Sequence, residues 1–417
     1  MSTKGNAVLE TGDIALARVH EHPVVGWIRT PRISLRGRSI PTWIVLLAAY
    51  VAARVLTTGF LAAVWALTKD QWFAHFDGGP GFDGFLQSWD VQWYQRVGIE
   101  GYPVELPIDE NGDVTQNPWA FFPIFPAVVR GLMALTGLGF PSAGMIVAIV
   151  FGATATLALH RMLVQHFPAR QAFWGAVFFA FGPLSFLLQV AYSEGMFLTF
   201  MFCALAAMVS RRYLLMIPFA LVASFVHPGA LALAAALGLQ GIVRLARKQP
   251  IKWQEWVTAG AAIALITAAA LSWPVLIAQI TGDPSGYFDT ELSWWRDFIG
   301  RVIFVPFTPF FLFYGIIFGW LGIVVVVVCL LGIIFWLTRP STRRLGVDIW
   351  TYSVMYMAYL LAVFLPTQSL LRMLLPLSPL LGHPGLSATR RRRVITLTVS
   401  IAAQPISILF LWVIYPP

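Results

Sequence analysis

The chain is 417 residues long, 58% hydrophobic and only 11% charged. Soluble domains average about 25% charged residues and could not hide so much apolar surface, so a soluble globular enzyme is excluded and lipid is the solvent for most of the chain. The formal charge of +9 sits in short basic clusters between apolar runs, which excludes a nucleic-acid-binding reading and suits a multispan membrane protein.

Continuous apolar runs of about 17–25 residues select helices over the alternating ten-residue strands of a barrel. Residues 1–39 are polar, carry Lys4, Arg18, Arg29, Arg32, Arg36 and Arg38, and have no short apolar core before a small-residue cleavage site. A cytosolic N-terminal segment without a cleavable signal is therefore expected. The transmembrane domain is predicted over 40–414, with spans at 40–67, 142–163, 171–191, 194–210, 213–226, 230–242, 257–280, 315–337, 348–365, 370–387 and 394–414. This is an all-α polytopic membrane protein of about eleven helices. Cys203 and Cys329 both fall inside spans, so no disulfide framework is expected.

Charge tests this register. Basic clusters at Arg161/Arg170, Arg211/Arg212, Arg244/Arg247/Lys248/Lys252, Arg339/Arg343/Arg344 and Arg390–Arg393 all fall on the side of the N-terminus. Together with the N-terminal segment they hold 21 of the 28 Lys and Arg residues. The positive-inside rule then puts the N-terminus in the cytosol and the C-terminus outside. Acids gather on the other side: a first outer loop, 68–118, contains Asp70, Asp77, Asp83, Asp90, Glu100, Glu105, Asp109, Glu110 and Asp113, and a second, 281–314, contains Asp283, Asp289, Glu291 and Asp297. Solubility of outer loops is sufficient reason for most of them.

Within the first loop, Phe82, Leu86, Trp89, Trp93 and Val97 share one helical stripe, as in a helix lying in the interface with tryptophans at headgroup level. Asp90 stands beside that stripe, where a carboxylate can take a proton from an incoming hydroxyl or simply cap the helix. Two prolines in Trp119-Ala-Phe-Phe-Pro-Ile-Phe-Pro126 predict a bent, semi-buried segment. Glu194 opens a span at a tight turn, a position that a helix dipole alone also favours. His227 precedes Pro228-Gly229 at a break between two apolar runs, and Arg54 lies mid-span, where a charge costs roughly 2.5–3.5 kcal/mol and so demands a partner or a wet cavity. In the second loop, Trp294 and Trp295 stand among acids, a mixture that suits a sugar or a membrane belt equally. The stretch 302–314, aromatic and interrupted by Pro306 and Pro309, reads as re-entrant or interfacial.

Trp89-Asp90-x-x-Trp93-Tyr94, followed by Gly101-Tyr102 and then Phe121-Phe-Pro-Ile-Phe-Pro126, resembles the PIG-V family. That family comprises the second GPI mannosyltransferase and bacterial relatives, within the GT-C membrane glycosyltransferases. Ala191-Tyr-Ser-Glu194, Gln368-Ser-Leu-Leu-Arg372 and Leu375-Pro-Leu-Ser-Pro379 are also similar, and His227 departs from the pattern where an Arg is usual. The resemblance implies a GT-C-like bundle with interfacial helices in its first outer loop. It implies inverting transfer of mannose from a polyprenyl-phosphate donor to a lipid-linked glycan or envelope glycolipid acceptor, on the non-cytosolic face. Asp90 matches the acidic position of the first outer loop and is expected to be catalytic, assisted by Glu194. Arginines brought to the same interface are natural clamps for the leaving phosphate, with Arg372 leading and Arg296 and Arg301 next; each equally suits headgroup contact. Trp89, Trp93, Tyr94, His227, Trp294 and Trp295 are the expected substrate contacts.

The seven histidines are scattered and no glycine-rich phosphate loop is present. No metal site and no cofactor is expected, and the partners are lipid substrates and membrane lipids. The alanine- and arginine-rich character points to a bacterial plasma membrane. A transporter or flippase of a lipid-linked sugar is the alternative; paired broken spans and polar groups at mid-membrane would mark it.

Overall fold

The computed structural model describes residues 32–35, 38–71, 74, 76, 78–79 and 81–414; Lys4, Arg18, Arg29, Arg36 and Asp77 lie outside them. A short antiparallel hairpin, β1 (Arg32–Leu35) and β2 (Arg38–Pro41), leads into helices. In chain order these are α1 (Thr42–Thr68), α2 (Phe82–Leu86), α3 (Asp90–Ile99), α4 (Ile124–Thr136), α5 (Phe140–Leu163), α6 (Ala169–Ala180), α7 (Glu194–Val209), α8 (Tyr213–Ser224), α9 (Leu231–Ala246) and α10 (Trp253–Thr281). There follow α11 (Gly286–Ser293), α12 (Arg296–Ile299), α13 (Pro309–Phe318), α14 (Trp320–Thr338), α15 (Pro340–Arg343), α16 (Val347–Val363), α17 (Leu370–Met373), α18 (Pro384–Ser387) and α19 (Arg390–Ile408), which continues as a π-helical turn over Leu409–Ile414.

The protein is an all-α polytopic membrane protein. Among the described residues, five helices are long and apolar enough to cross a membrane: α1, α5, α10, α14 and the continuous Arg390–Ile414. The shorter apolar helices have 10–17 residues and reach only about 15–26 Å at 1.5 Å per residue, less than a hydrocarbon core of about 30 Å. Of these, α7 is almost wholly buried, whereas α4 and α13 leave Leu135, Ile316 and Phe318 exposed; irregular backbone beyond the end of α6 lies inside the bundle.

That irregular backbone is where the structure departs from the spans read in the sequence. The predicted span 171–191 ends as a helix at Ala180, and a 3-10 turn follows over Ser185–Leu188. Gly182-Pro183 breaks it, because proline cannot donate to the preceding turn. In lipid the freed carbonyls need donors, and Arg54 of α1 supplies them. Its Nη2 donates to the Ala180 carbonyl at 2.8 Å, and its Nη1 donates to that of Ser185. The mid-span charge thus has backbone partners and lies over the Tyr50 ring at 4.9 Å. The predicted span 370–387 is likewise not one helix: α17, a 3-10 stretch over Leu375–Gly382 and α18 follow one another, as Pro376, Pro379 and Pro384 require. The bent segment after Trp119 forms as read, but continues into α4, which Gly137 closes in the left-handed region.

Small residues let the central helices approach closely, as in other membrane bundles. A Cβ on Gly144 would lie 2.6 Å from that of Ala191, and one on Gly195 would lie 3.0 Å from the Ala148 carbonyl oxygen. At one end of the bundle, buried Asp348 at the start of α16 accepts from Arg211 Nη1 at 2.9 Å and from Gln240, with His166 Nε2 at 3.1 Å. This pins the α5–α6 connection, the α7–α8 turn, α9 and α16 together at the end that carries the basic clusters. The opposite end carries the two long loops.

Candidate active site

The stripe read as one interfacial helix is two. Between α2 and α3 the chain breaks at Trp89, whose φ of 64° and ψ of −131° are unusual for a residue with a side chain. Such strain persists only where surroundings enforce it. Here a reciprocal pair of indoles does so: Trp89 Nε1 donates to the Trp412 carbonyl at 3.0 Å, and Trp412 Nε1 donates to that of Phe85 at 2.7 Å. The C-terminal turn therefore holds the break open from more than 300 residues away. The break has two consequences. Val97 of the stripe turns into the protein core rather than to lipid, and Asp90 becomes the first residue of a helix, where the dipole favours its charge.

Three further contacts join α3 to the start of α7. The Asp90 amide donates to the Tyr192 hydroxyl at 3.3 Å, the Tyr94 hydroxyl lies 2.7 Å from that of Ser193, and the Tyr94 and Tyr192 rings meet at 6.3 Å. Glu194 is the next residue. Onto this platform α17 brings Arg372, which lies over the Tyr192 ring at 5.6 Å, donates to Asp90 Oδ2, and stands 3.6 Å from Glu194 Oε1. Asp90 is 5% exposed and Glu194 4%. Two buried carboxylates therefore share one guanidinium, and neither Glu194 oxygen accepts a hydrogen bond among the described residues.

His227 closes the group. Its Nδ1 lies 2.8 Å from the Pro228 carbonyl oxygen. A carbonyl only accepts, so the proton is on Nδ1 and Nε2 is left as an acceptor. Glu194, His227, Tyr356 and Arg372 line a cavity of about 10 Å³, room for about one water molecule or one hydroxyl. Beside it, Trp93 stacks on Phe121 at 5.8 Å and meets Trp294 edge-on at 5.4 Å. Trp294 Nε1 has no acceptor among the described residues.

The structure thus brings together Asp90, Glu194, His227 and Arg372 from four distant segments, with Trp89 and Tyr94 supporting them and Trp93 and Trp294 alongside. It does not bring Arg296 and Arg301 to Asp90. Arg296 Nη1 pairs with Asp109 at 3.4 Å and Asp113 at 3.6 Å, and Arg301 pairs with Asp113. Trp295 packs on Phe304, 6.0 Å away. The sequence gives little sign of the parts played by Tyr192 and Trp412. Tyr192 does sit inside the Ala191–Glu194 motif; nothing local marks Trp412. Among the described residues, no group of three or more His, Cys, Asp or Glu side chains could hold a metal ion.

No protein-family model and no curated protein matches the chain, so the motif resemblance has no family match beside it. Among solved structures the chain is similar to ArnT from Cupriavidus metallidurans bound to undecaprenyl phosphate, at 15% identity over 86% of this chain and 64% of that one, with a TM-score of 0.47. It is also similar to the Archaeoglobus fulgidus oligosaccharyltransferase in complex with Zn and sulfate, at 13% identity over 87% and 52%, TM-score 0.47. A third is apo ArnT from C. metallidurans, at 16% identity over 87% and 64%, TM-score 0.44. The chain spans between half and two thirds of the length of these structures.

Proposed function

We propose that this protein is a GT-C glycosyltransferase that transfers a mannosyl residue, with inversion, from a polyprenyl-phosphate donor to a lipid-linked glycan or envelope glycolipid. The observation that carries the reading is the buried cluster in which Arg372 bridges Asp90 and Glu194 at the loop end of a membrane bundle. Mannose itself, and the PIG-V-like assignment, rest on the motif resemblance.

The donor arrives already activated, so the protein needs a base, an anchor for the departing phosphate and a site sheltered from water. In the resting arrangement Arg372 is engaged by Asp90. When the donor phosphodiester enters, its oxygens compete for the guanidinium, and Asp90 is freed. The Asp90 carboxylate then takes the proton of the acceptor hydroxyl. The acceptor oxygen bonds to the anomeric carbon as the bond from that carbon to the phosphate oxygen breaks. Polyprenyl phosphate departs with one more negative charge than it had in the donor, and Arg372 stabilises that charge. Glu194 and His227 Nε2 both accept hydrogen bonds, so together they suit hydroxyls that donate, which is how they would orient the sugar. In this reading the Asp90 end faces the non-cytosolic side, with the N-terminus cytosolic and the C-terminus outside, which the basic clusters support through the positive-inside rule; a bacterial plasma membrane fits the composition. Arg54, the buried mid-span charge, is engaged in capping backbone, which favours an enzyme over a transporter.

The test is a transfer assay with the purified chain in lipid nanodiscs, radiolabelled polyprenyl-phosphate mannose and a panel of glycolipid acceptors. Label should move to acceptor with wild type and not with Asp90→Asn. Absence of transfer to every acceptor, or undiminished transfer by the variant, overturns the reading.

A further inference from the structure

A groove of about 510 Å³ lies between the two long loops, away from the Asp90 cluster, and its size is typical of ligand clefts. The first loop contributes Glu105, Ile108 and Asp113, and the second contributes Asp283, Asp289, Arg296 and Arg301. The two loops are fastened to each other. Arg296 joins Asp109 and Asp113 and donates to the Val114 carbonyl at 3.1 Å, Arg301 joins Asp113, and Asn117 Nδ2 donates to the Thr290 hydroxyl at 3.0 Å. The groove is therefore preformed.

We infer that this groove binds a neutral oligosaccharide; resting on the transferase reading, that oligosaccharide is the glycan of the acceptor. Its charges select against the alternatives. Four lining carboxylates (Glu105, Asp113, Asp283 and Asp289) face two guanidinium groups, and both arginines are already paired with carboxylates. The lining is two charges negative on balance, which disfavours a phosphate or other anion. A metal ion finds no cage: Asp283 Oδ1 accepts from the Ser285 amide at 2.8 Å, the Ser285 hydroxyl with its single proton lies between Asp283 Oδ1 at 2.8 Å and Asp289 Oδ2 at 2.5 Å, and Asp113 holds the arginines. A sugar suits such walls because each hydroxyl both donates and accepts. Carboxylates keep further lone pairs for its O–H groups, and the guanidinium N–H groups can reach its oxygens. Leu106 and Leu292 line the same groove and offer apolar surface to the C–H faces of the rings. Arg296 of the groove follows directly on Trp294-Trp295, and Trp294 touches Trp93 of α3, the helix that begins at Asp90. One end of a glycan in the groove would thus lie on the loop segment that contacts α3.

The binding is tested without turnover, by saturation-transfer NMR on the full chain in nanodiscs. The probes are α-mannotriose, maltotriose and laminaritriose, with mannose 6-phosphate as anionic control. At least one neutral trisaccharide should take up saturation, several-fold more than the anion. Ile108→Trp, which adds bulk at a side chain already 65% exposed, should abolish the signal, and Asp289→Ala should weaken it several-fold. Asp90→Asn should leave it unchanged, so a failed transfer assay and a failed binding assay are separate results. The inference is overturned if no trisaccharide binds, if the anion binds as well, if Ile108→Trp or Asp289→Ala binds like wild type, or if Asp90→Asn loses binding.

Discussion

Arg372 donates to the carboxylate of Asp90 across 282 residues of sequence. Both groups are largely removed from water, with side-chain exposures of 13% and 6%, and Glu194 stands within 3.6 Å of the same nitrogen. A buried pair of this kind is a poor source of net stability, because desolvation offsets its attraction. What it would offer to the proposed transfer is a base and an anion anchor held in one place and released together by an anionic ligand.

Replacing Asp90 by Asn keeps the shape and removes the proposed base. Turnover should fall by about 10²–10⁴-fold, the usual worth of a general base, while the protein still inserts and purifies. Initial-rate measurements with saturating donor check this, and a loss below tenfold would argue that Asp90 only positions its neighbours.

Arg372→Met leaves two buried carboxylates without their cation. Breaking a buried pair from one side costs about 3–5 kcal/mol, so thermal unfolding in detergent should move down clearly. The triple variant Asp90→Asn/Glu194→Gln/Arg372→Met should recover much of the loss. If the triple variant is no more stable than the single one, the three groups are not a coupled unit. In Arg372→Lys, which keeps charge but loses the fork geometry, the KM for donor should rise more than that for acceptor.

Arg54→Leu separates structure from chemistry. It leaves the Ala180 and Ser185 carbonyls without their donor, at about 1–3 kcal/mol each, and should lower the unfolding temperature. The KM for donor should stay unchanged in whatever protein remains folded. A raised KM would move Arg54 from scaffold to substrate path.

Glu291, in α11 of the second loop, gives a pH signature. Burial pushes its carboxyl up to about 7, partly opposed by the hydrogen bond from Tyr287. The unfolded chain then releases this proton near the ordinary value of 4.5, while the folded chain holds it longer. Above the ordinary value the unfolded state is increasingly favoured, so this residue's contribution makes stability decline as pH rises from about 4.5 to about 7 and level off beyond. Glu291→Gln should remove that decline, as read by unfolding temperature against pH; an unchanged profile would show that Glu291 titrates normally.

Much of this molecule is local chemistry and was readable from residues alone. Runs of apolar side chains identify membrane helices whatever they pack against, because lipid solvates each span separately, and α1, α5, α7 and α10 lie close to where those runs place them. Asp90, Glu194, His227 and Arg372 could be nominated because each sits at a helix end or a break on the same predicted face. Where prolines interrupt a run, as in 171–191 and 370–387, hydropathy predicts one helix and misses the break, because it does not register a lost backbone donor. Partnership was decided only by the fold. Nothing near Arg54 in the chain announces the carbonyls that it caps, and nothing near Trp89 announces that Trp412 holds its strained backbone. Nor does anything near Arg296 and Arg301 reveal that Asp109 and Asp113 claim them, leaving Arg372 alone beside Asp90. Hydropathy and charge act on each segment by itself, whereas a hydrogen bond needs its partner within about 3 Å, and that distance is set only when the whole chain has packed.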